Sequence, residues 1–165
     1  MIFMEGRYPL RFQIPDAAWC LEFPKQAVLQ LQAFAQKGGQ SRELVGQLYT
    51  RDLQALSVQV DHVTLIAPLW ARFTSVRLDM KAVRSERDRL FVQGLHCIGF
   101  WHSHPELEPH ISPTDVAMAE EQARAGKSDY QGLVFMILGT APAPMGFGVW
   151  VHDGATLWRA ESLIR

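Results

Sequence analysis

Between positions 24 and 37 (PKQAVLQLQAFAQK) apolar side chains recur at Val28, Leu29, Leu31, Ala33, Phe34 and Ala35, a spacing that predicts an amphipathic helix. Pro24 falls in its first turn and Gly38-Gly39 stops it. ELVGQLYT at 43–50 predicts a strand, and ALSVQVDHVTLIA at 55–67 predicts one or two more. Positions 72–93 divide less cleanly: FTSVRLD suggests a strand, and MKAVRSERDRLFVQ a helix with a charged outer face. HCIGFW at 96–101 is a short apolar run suited to a buried strand. SPTDVAMAEEQARAGKSD then opens a helix, with Ser112 as N-cap, Pro113 at N1, Asp115 at N3 and Gly126 as its stop. GLVFMILG predicts a continuous apolar strand, and GFGVWVHDGATLWRAESL a hairpin turning at Asp153-Gly154. This order describes an α/β domain around one mixed sheet flanked by helices.

Composition narrows the picture. At 165 residues the expectation is a single domain, 1–165, with enough chain to bury a core. Apolar residues make up 48% and charged residues 20%, with 17 acids against 16 bases. A formal charge of −1 gives no reason to expect binding to nucleic acid or an anionic membrane, where a basic face would normally show. Glu5, Arg7 and Pro9 interrupt the N-terminus where a signal peptide would be apolar, and no run is long enough for a membrane span. Cys20 and Cys97 lie far apart among apolar neighbours, so both are expected to be small core residues in a cytoplasmic protein. Composition is silent on oligomeric state.

One stretch concentrates chemistry. GFWHSHPELEPHISPTD (99–115) carries three histidines, three acids and three prolines on the loop between the buried strand and the helix start. Taken singly the parts are bland. Ser112 to Asp115 is a capping box, and His102 and His104 are expected to converge only if the chain bends before Pro105. Together, two imidazoles and a carboxylate are a suitable zinc set with a fourth position open, as catalysis requires and a structural site does not. Trp101 is expected to pack around such a site. His110, Glu106 and Glu108 are expected to be exposed loop residues, and His62, His96 and His152 ordinary strand or surface histidines.

His102-Ser103-His104-Pro105 followed by Ser112-x-x-Asp115 resembles the H-S/T-H-P-x(6)-S-x-x-D signature of the JAMM (MPN-plus) metallopeptidases. The family also has an upstream glutamate in an E-x-x-G stretch, matched by Glu43 with Gly46. The resemblance implies a JAB/MPN, cytidine-deaminase-like fold with one catalytic Zn2+ held by His102, His104 and Asp115. It implies that Glu43 is the general base that passes a proton to the leaving amine, and that Ser112 steadies the oxyanion.

Relatives of this kind cleave after the glycine-rich tail of ubiquitin or a ubiquitin-like protein, so the implied partner is such a protein or its conjugates. The tail would add to a sheet edge, which the family places near residues 70–78. The chain is similar to stand-alone bacterial members, several of which sit in antiphage defence operons. Two alternatives stay open: processing of a sulfur-carrier protein, whose tail also ends in glycines, and a non-catalytic MPN scaffold.

Overall fold

In the computed structural model, which describes residues 8–35, 43–67, 70–71, 76–125 and 132–163 (at 70–71 and 76–77 the backbone alone), strands dominate. In chain order they are β1 (Leu10–Gln13), β2 (Cys20–Phe23), α1 (Lys25–Phe34), β3 (Val45–Thr50), β4 (Ser57–Gln59), β5 (His62–Val63), β6 (Trp70–Ala71), β7 (Val76–Arg77), α2 (Met80–Phe91), β8 (His96–Ser103), α3 (Pro113–Ala125), β9 (Leu133–Leu138), β10 (Phe147–His152) and β11 (Leu157–Ser162). The mixed α/β architecture expected from the hydrophobic pattern is present.

The helices begin where the local chemistry allows. Asp79 caps α2 by accepting the Lys81 and Ala82 N–H groups at 3.1 and 3.2 Å. Pro24 is the N-cap of α1, one position before the helix proper, and contributes only its carbonyl, to Val28 N–H. Gly38, Gly39 and Gly126, expected as helix stops, lie outside the described residues. The two N-terminal strands were not expected: LRFQ and CLEF are only four residues each, too short for alternation to declare itself.

Among the described residues, nine strands form one mixed sheet in the order β4-β2-β1-β11-β10-β9-β8-β3-β5. Most neighbours are antiparallel, but β8 and β9 run parallel, with α3 in the connection between them. The two edges, β4 and β5, are separated by only Val60 and Asp61. Val60 N–H reaches the Glu22 carbonyl next to β4, while Asp61 N–H reaches the Tyr49 carbonyl on β3. Since two residues span at most roughly 10 Å, the sheet must curl until its ends nearly meet. The 55–67 run is thus two strands on opposite edges.

The curl encloses one apolar core and leaves a second face for the helices. Inside, Phe12, Leu21, Phe23, Leu48, Ile98, Trp101, Val134, Met136 and Val149 pack against Ala27, Val28 and Leu31 of α1. Outside, Val45, Phe100 and Leu133 meet Val83 of α2 and Ala123 of α3. Phe135, Ile137 and Trp150 meet Ala119 of α3. Every position of β9 is buried, since its two sets of alternate side chains serve the two cores.

A β-bulge decides which face the end of β8 serves. Leu48 pairs with Gly99 but Tyr49 with Cys97, so Ile98 is an extra residue. Ile98 points inward and Phe100 outward, although uninterrupted alternation would put both on one side. Beyond the bulge the outward set is Phe100, His102 and His104. Gly99 is required here because a Cβ would stand 1.8 Å from the Val134 carbonyl oxygen.

β6 and β7 pair with each other, Trp70 with Arg77 and Ala71 with Val76, in a separate two-stranded sheet. The stretch 70–78, where the resemblance places the edge that receives the tail, thus holds two strands paired with each other apart from the main sheet; residues 72–75 lie outside the described residues.

Candidate metal centre

The histidines converge without the bend that the sequence pattern suggested. β8 continues through Ser103, and alternation puts positions 102 and 104 on one side of the strand. Their rings lie 4.6 Å apart between centroids, and His102 rests against Phe135 at 5.3 Å. Trp101, between Phe100 and His102, faces the other way. It is fully buried in the inner core, stacks on Phe34 at 5.1 Å and donates its Nε1–H to the Thr64 carbonyl at 2.9 Å. It does not wall the site; it fixes the strand from behind. Gly46, opposite Trp101 on β3, makes this possible, because a Cβ there would sit 2.5 Å from Nε1 and 1.8 Å from Thr64 O.

Two further elements deliver the carboxylates. The start of α3 is a reciprocal capping box: Ser112 Oγ accepts the Asp115 N–H at 3.1 Å, and Asp115 Oδ2 accepts the Ser112 N–H at 2.8 Å. Asp115 is thereby held buried, with Oδ1 3.3 Å from His102 Nε2 and Oδ2 3.7 Å from His104 Nε2. Glu43 arrives from the residues before β3. Its neighbour Leu44 is pinned to β8 twice, donating N–H to Ser103 Oγ at 2.9 Å and accepting the Ser103 N–H at 3.0 Å. Glu43 is 1% exposed, and its Oε1 lies 3.9 Å from His104 Nε2. All five residues singled out in the sequence (Glu43, His102, His104, Ser112 and Asp115) therefore share one corner, although Glu43 is 59 positions from His102 (102 − 43).

The site is polar, buried and incompletely satisfied. Both Glu43 carboxylate oxygens and both His102 ring nitrogens are buried without a hydrogen-bond partner; His102 Nε2 is near Asp115 Oδ1 but not aligned with it. Burial raises the Glu43 carboxyl from 4.5 to about 8, and the Asp115 charge adds to the rise. Burial pushes His102 below its ordinary 6.5, with Asp115 opposing and His104 assisting. His102 is accordingly neutral near pH 7 and keeps a lone pair, as a metal ligand must.

This donor set fits a zinc ion. Ligand atoms in a tetrahedral zinc shell lie roughly 3.3 Å apart, given bond lengths of about 2.0–2.1 Å. The Asp115–His102 and Asp115–His104 separations of 3.3 and 3.7 Å approach that edge, while Glu43 to His104 at 3.9 Å is longer. Glu43, His102 and His104 also form a candidate cluster in which all three ligand atoms lie within 4.8 Å of one another. Both carboxylates face the two imidazoles, so either could complete a donor set with them. Orphaned buried polar atoms cost free energy unless something arrives to satisfy them.

Two residues of the site were not expected. Ser103 acts through its hydroxyl as the clip that holds Leu44. Glu106 is not simply solvated: its Oε1 lies 3.0 Å from His104 Nδ1 and accepts the His110 N–H at 3.0 Å. Burial works against its charge, but the hydrogen bonds from the His110 backbone and the His104 and His110 rings prevail and hold its carboxyl below the usual range. Its position two residues after His104 was the only signal available in the sequence. His110 itself is exposed, as expected.

No curated protein sequence matches the chain. Two solution structures share the fold, at identities that speak to fold alone. One, a protein of Desulfitobacterium hafniense, is 17% identical with a TM-score of 0.61, over 83% of this chain and 87% of that one. The other, from Salinibacter ruber, is 19% identical with a TM-score of 0.53, over 87% and 90%. The profile of the prokaryotic homologues of the JAB domain matches residues 24–153, a span that begins at the N-cap of α1 and holds every residue of the site. The chain belongs to the prokaryotic JAB-domain family.

Proposed function

We propose that this protein is a zinc-dependent peptidase that cleaves after the C-terminal tail of a ubiquitin-like protein, freeing it from conjugates or maturing its precursor. The observation that carries the catalytic part is a buried cluster of two imidazoles and two carboxylates in which both Glu43 oxygens and both His102 nitrogens lack hydrogen-bond partners. His102, His104 and Asp115 would hold one zinc, which when bound supplies Lewis-acid polarisation of the scissile carbonyl and of the attacking water.

The remaining steps fall to side chains. Glu43, buried beside the His104 ring, takes the proton from the attacking water and returns it to the leaving amine. Ser112 Oγ already accepts the Asp115 N–H, which leaves its own proton to donate to the developing oxyanion. The sheet edge beside Glu43 is short, β5 continued by the Val45–Ile66 bridge, and an extended tail adds there as a strand.

The charge balance and the free cysteines suit a cytoplasmic protein acting on another protein, and among the described residues no helix is long and apolar enough to cross a membrane. An antiphage setting, carried by the resemblance to stand-alone bacterial members, belongs to the same proposal.

Zinc content and substrate trapping test it. Purified protein is expected to carry about one zinc per chain. Glu43→Gln should keep the metal and capture a ubiquitin-like conjugate identifiable by mass. Absence of zinc from the unaltered protein would sink the catalytic reading, and capture of a sulfur carrier alone would replace the substrate.

A further inference from the structure

The two imidazoles of the centre are held very differently. His102 has no hydrogen-bond partner on either nitrogen, whereas His104 divides its nitrogens between two neighbourhoods. Its Nε2 faces Asp115 and Glu43 at 3.7 and 3.9 Å, and its Nδ1 faces Glu106 Oε1 at 3.0 Å. An ionised carboxylate only accepts, so a hydrogen bond at this distance requires the proton on Nδ1 and leaves the Nε2 lone pair directed into the site.

Glu106 is in turn fixed at several points. Its side chain accepts the His110 N–H at 3.0 Å, and its Oε2 lies 3.4 Å from His110 Nδ1. Its carbonyl accepts the Thr140 N–H at 2.8 Å, tying the loop to the segment after β9. The adjacent Leu107 carbonyl accepts the Ala141 N–H at 3.0 Å. Gly139 permits this docking, since a Cβ there would stand 2.4 Å from Leu107 O. A carboxylate tethered through backbone and side chain alike has little freedom to leave the ring it faces.

We infer that Glu106 is a positioning residue: it selects the Nδ1–H tautomer of His104, fixes the ring plane, and so prepares Nε2 to bind the metal. Outer carboxylates on ligating histidines generally raise ligand basicity, and their loss weakens metal affinity about 10–100-fold. This inference rests on the zinc reading of the site, but the tautomer it assigns does not depend on metal. Glu106 is 40% exposed at the side chain, so its removal should leave the fold intact.

The test compares unaltered protein with Glu106→Ala, Glu106→Gln and His110→Ala. In zinc-free, 15N-histidine-labelled protein at neutral pH, the His104 shifts should report Nδ1–H in the unaltered chain. They should move toward Nε2–H in Glu106→Ala. Zinc dissociation constants, from competition with a chromogenic chelator, should rise about 10–100-fold in Glu106→Ala and less in Glu106→Gln, which keeps an acceptor without the charge. His110→Ala, which retains the backbone donor to Glu106, should stay close to the unaltered protein in both readouts.

A Glu106→Ala protein with the His104 tautomer unchanged and zinc affinity within about twofold overturns the inference. If that variant does not fold, Glu106→Gln decides, and unaltered affinity there overturns it equally. If the unaltered protein takes no zinc, the peptidase reading fails, and the tautomer measurement alone judges Glu106.

Discussion

The outward face of β3 and its approach carry two buried polar clusters only a few residues apart, and they are built on opposite terms. At Gln47 and Tyr49 the polar atoms find partners within the protein. Glu86 Oε1 accepts from Gln47 Nε2 at 3.0 Å, Tyr49 OH at 2.9 Å and Thr64 Oγ1 at 2.5 Å, while Gln47 Oε1 accepts from Arg87 Nε at 2.6 Å and Cys97 Sγ at 3.3 Å. At Glu43, four residues earlier, both carboxylate oxygens are buried with none. The first cluster binds α2 to the sheet. The second stores unsatisfied polar groups against two histidines, the arrangement expected of a site that waits for a ligand. Burial of polar side chains is therefore not one phenomenon in this chain, and the difference lies in whether the protein itself completes the shell.

That contrast can be broken most sharply through activity. Asp115→Ala is expected to lose bound zinc altogether, and Glu43→Gln to keep zinc while cleavage of a ubiquitin-like fusion falls about 10²–10⁴-fold. Metal analysis and single-turnover kinetics check the pair, and normal cleavage by Glu43→Gln would remove Glu43 from the proton-transfer role. The saturated cluster should respond in stability instead. Glu86→Ala strands the Gln47, Tyr49 and Thr64 donors and should cost about 2–4 kcal/mol in urea unfolding; a change below about 0.5 kcal/mol would mean the network is not completed as described.

A smaller effect separates the clusters by pH. In zinc-free protein the Glu43 carboxyl titrates at about 8 instead of 4.5, so between those values the folded chain binds more protons than the unfolded one. Stability from this group is complete below pH 4.5 and is lost as pH rises through 8. His102 acts oppositely, its depressed affinity removing stability as pH falls below its ordinary 6.5. Above that value Glu43 is left as the titrating group of the pair. Chelated protein should lose about 1–2 kcal/mol from pH 6.5 to 8, and Glu43→Gln should not. Parallel profiles would contradict the buried, unpartnered state of Glu43. Smallest of all, Ser103→Ala removes the acceptor for Leu44 N–H and should cost about 0.5–1.5 kcal/mol by denaturant titration. If Ser103 aligns Glu43 through Leu44, the cleavage rate should fall as well.

Much of this was legible in the sequence because it is local. The capping box at Ser112–Asp115 needs only four consecutive residues to form, and the hairpin at Asp153-Gly154 needs only its turn; both stand as the pattern predicts. α2 likewise begins at Met80, where Asp79 can cap it. What failed depended on distant partners. β1 and β2 are strands because β11 and β4 pair with them, not because four residues alternate. The outward turn of His102 depends on the Ile98 bulge, whereas Trp101, expected to pack around the site, faces the other way by strand alternation alone.

Residue identity and spacing alone set the chemistry on offer: two imidazoles spaced two apart, a carboxylate locked into a helix start, and a second carboxylate far upstream. Tertiary structure decided that they meet. The bulge at Ile98 turns His102 and His104 outward toward α3, and the Leu44–Ser103 clip brings Glu43 to them across β3 and β8. It also decided that Glu106 reaches His104 and that Glu43 has no partner. Neighbouring residues fix capping and alternation, whereas parity, proximity and orphaned polar atoms depend on how remote segments pack against one another.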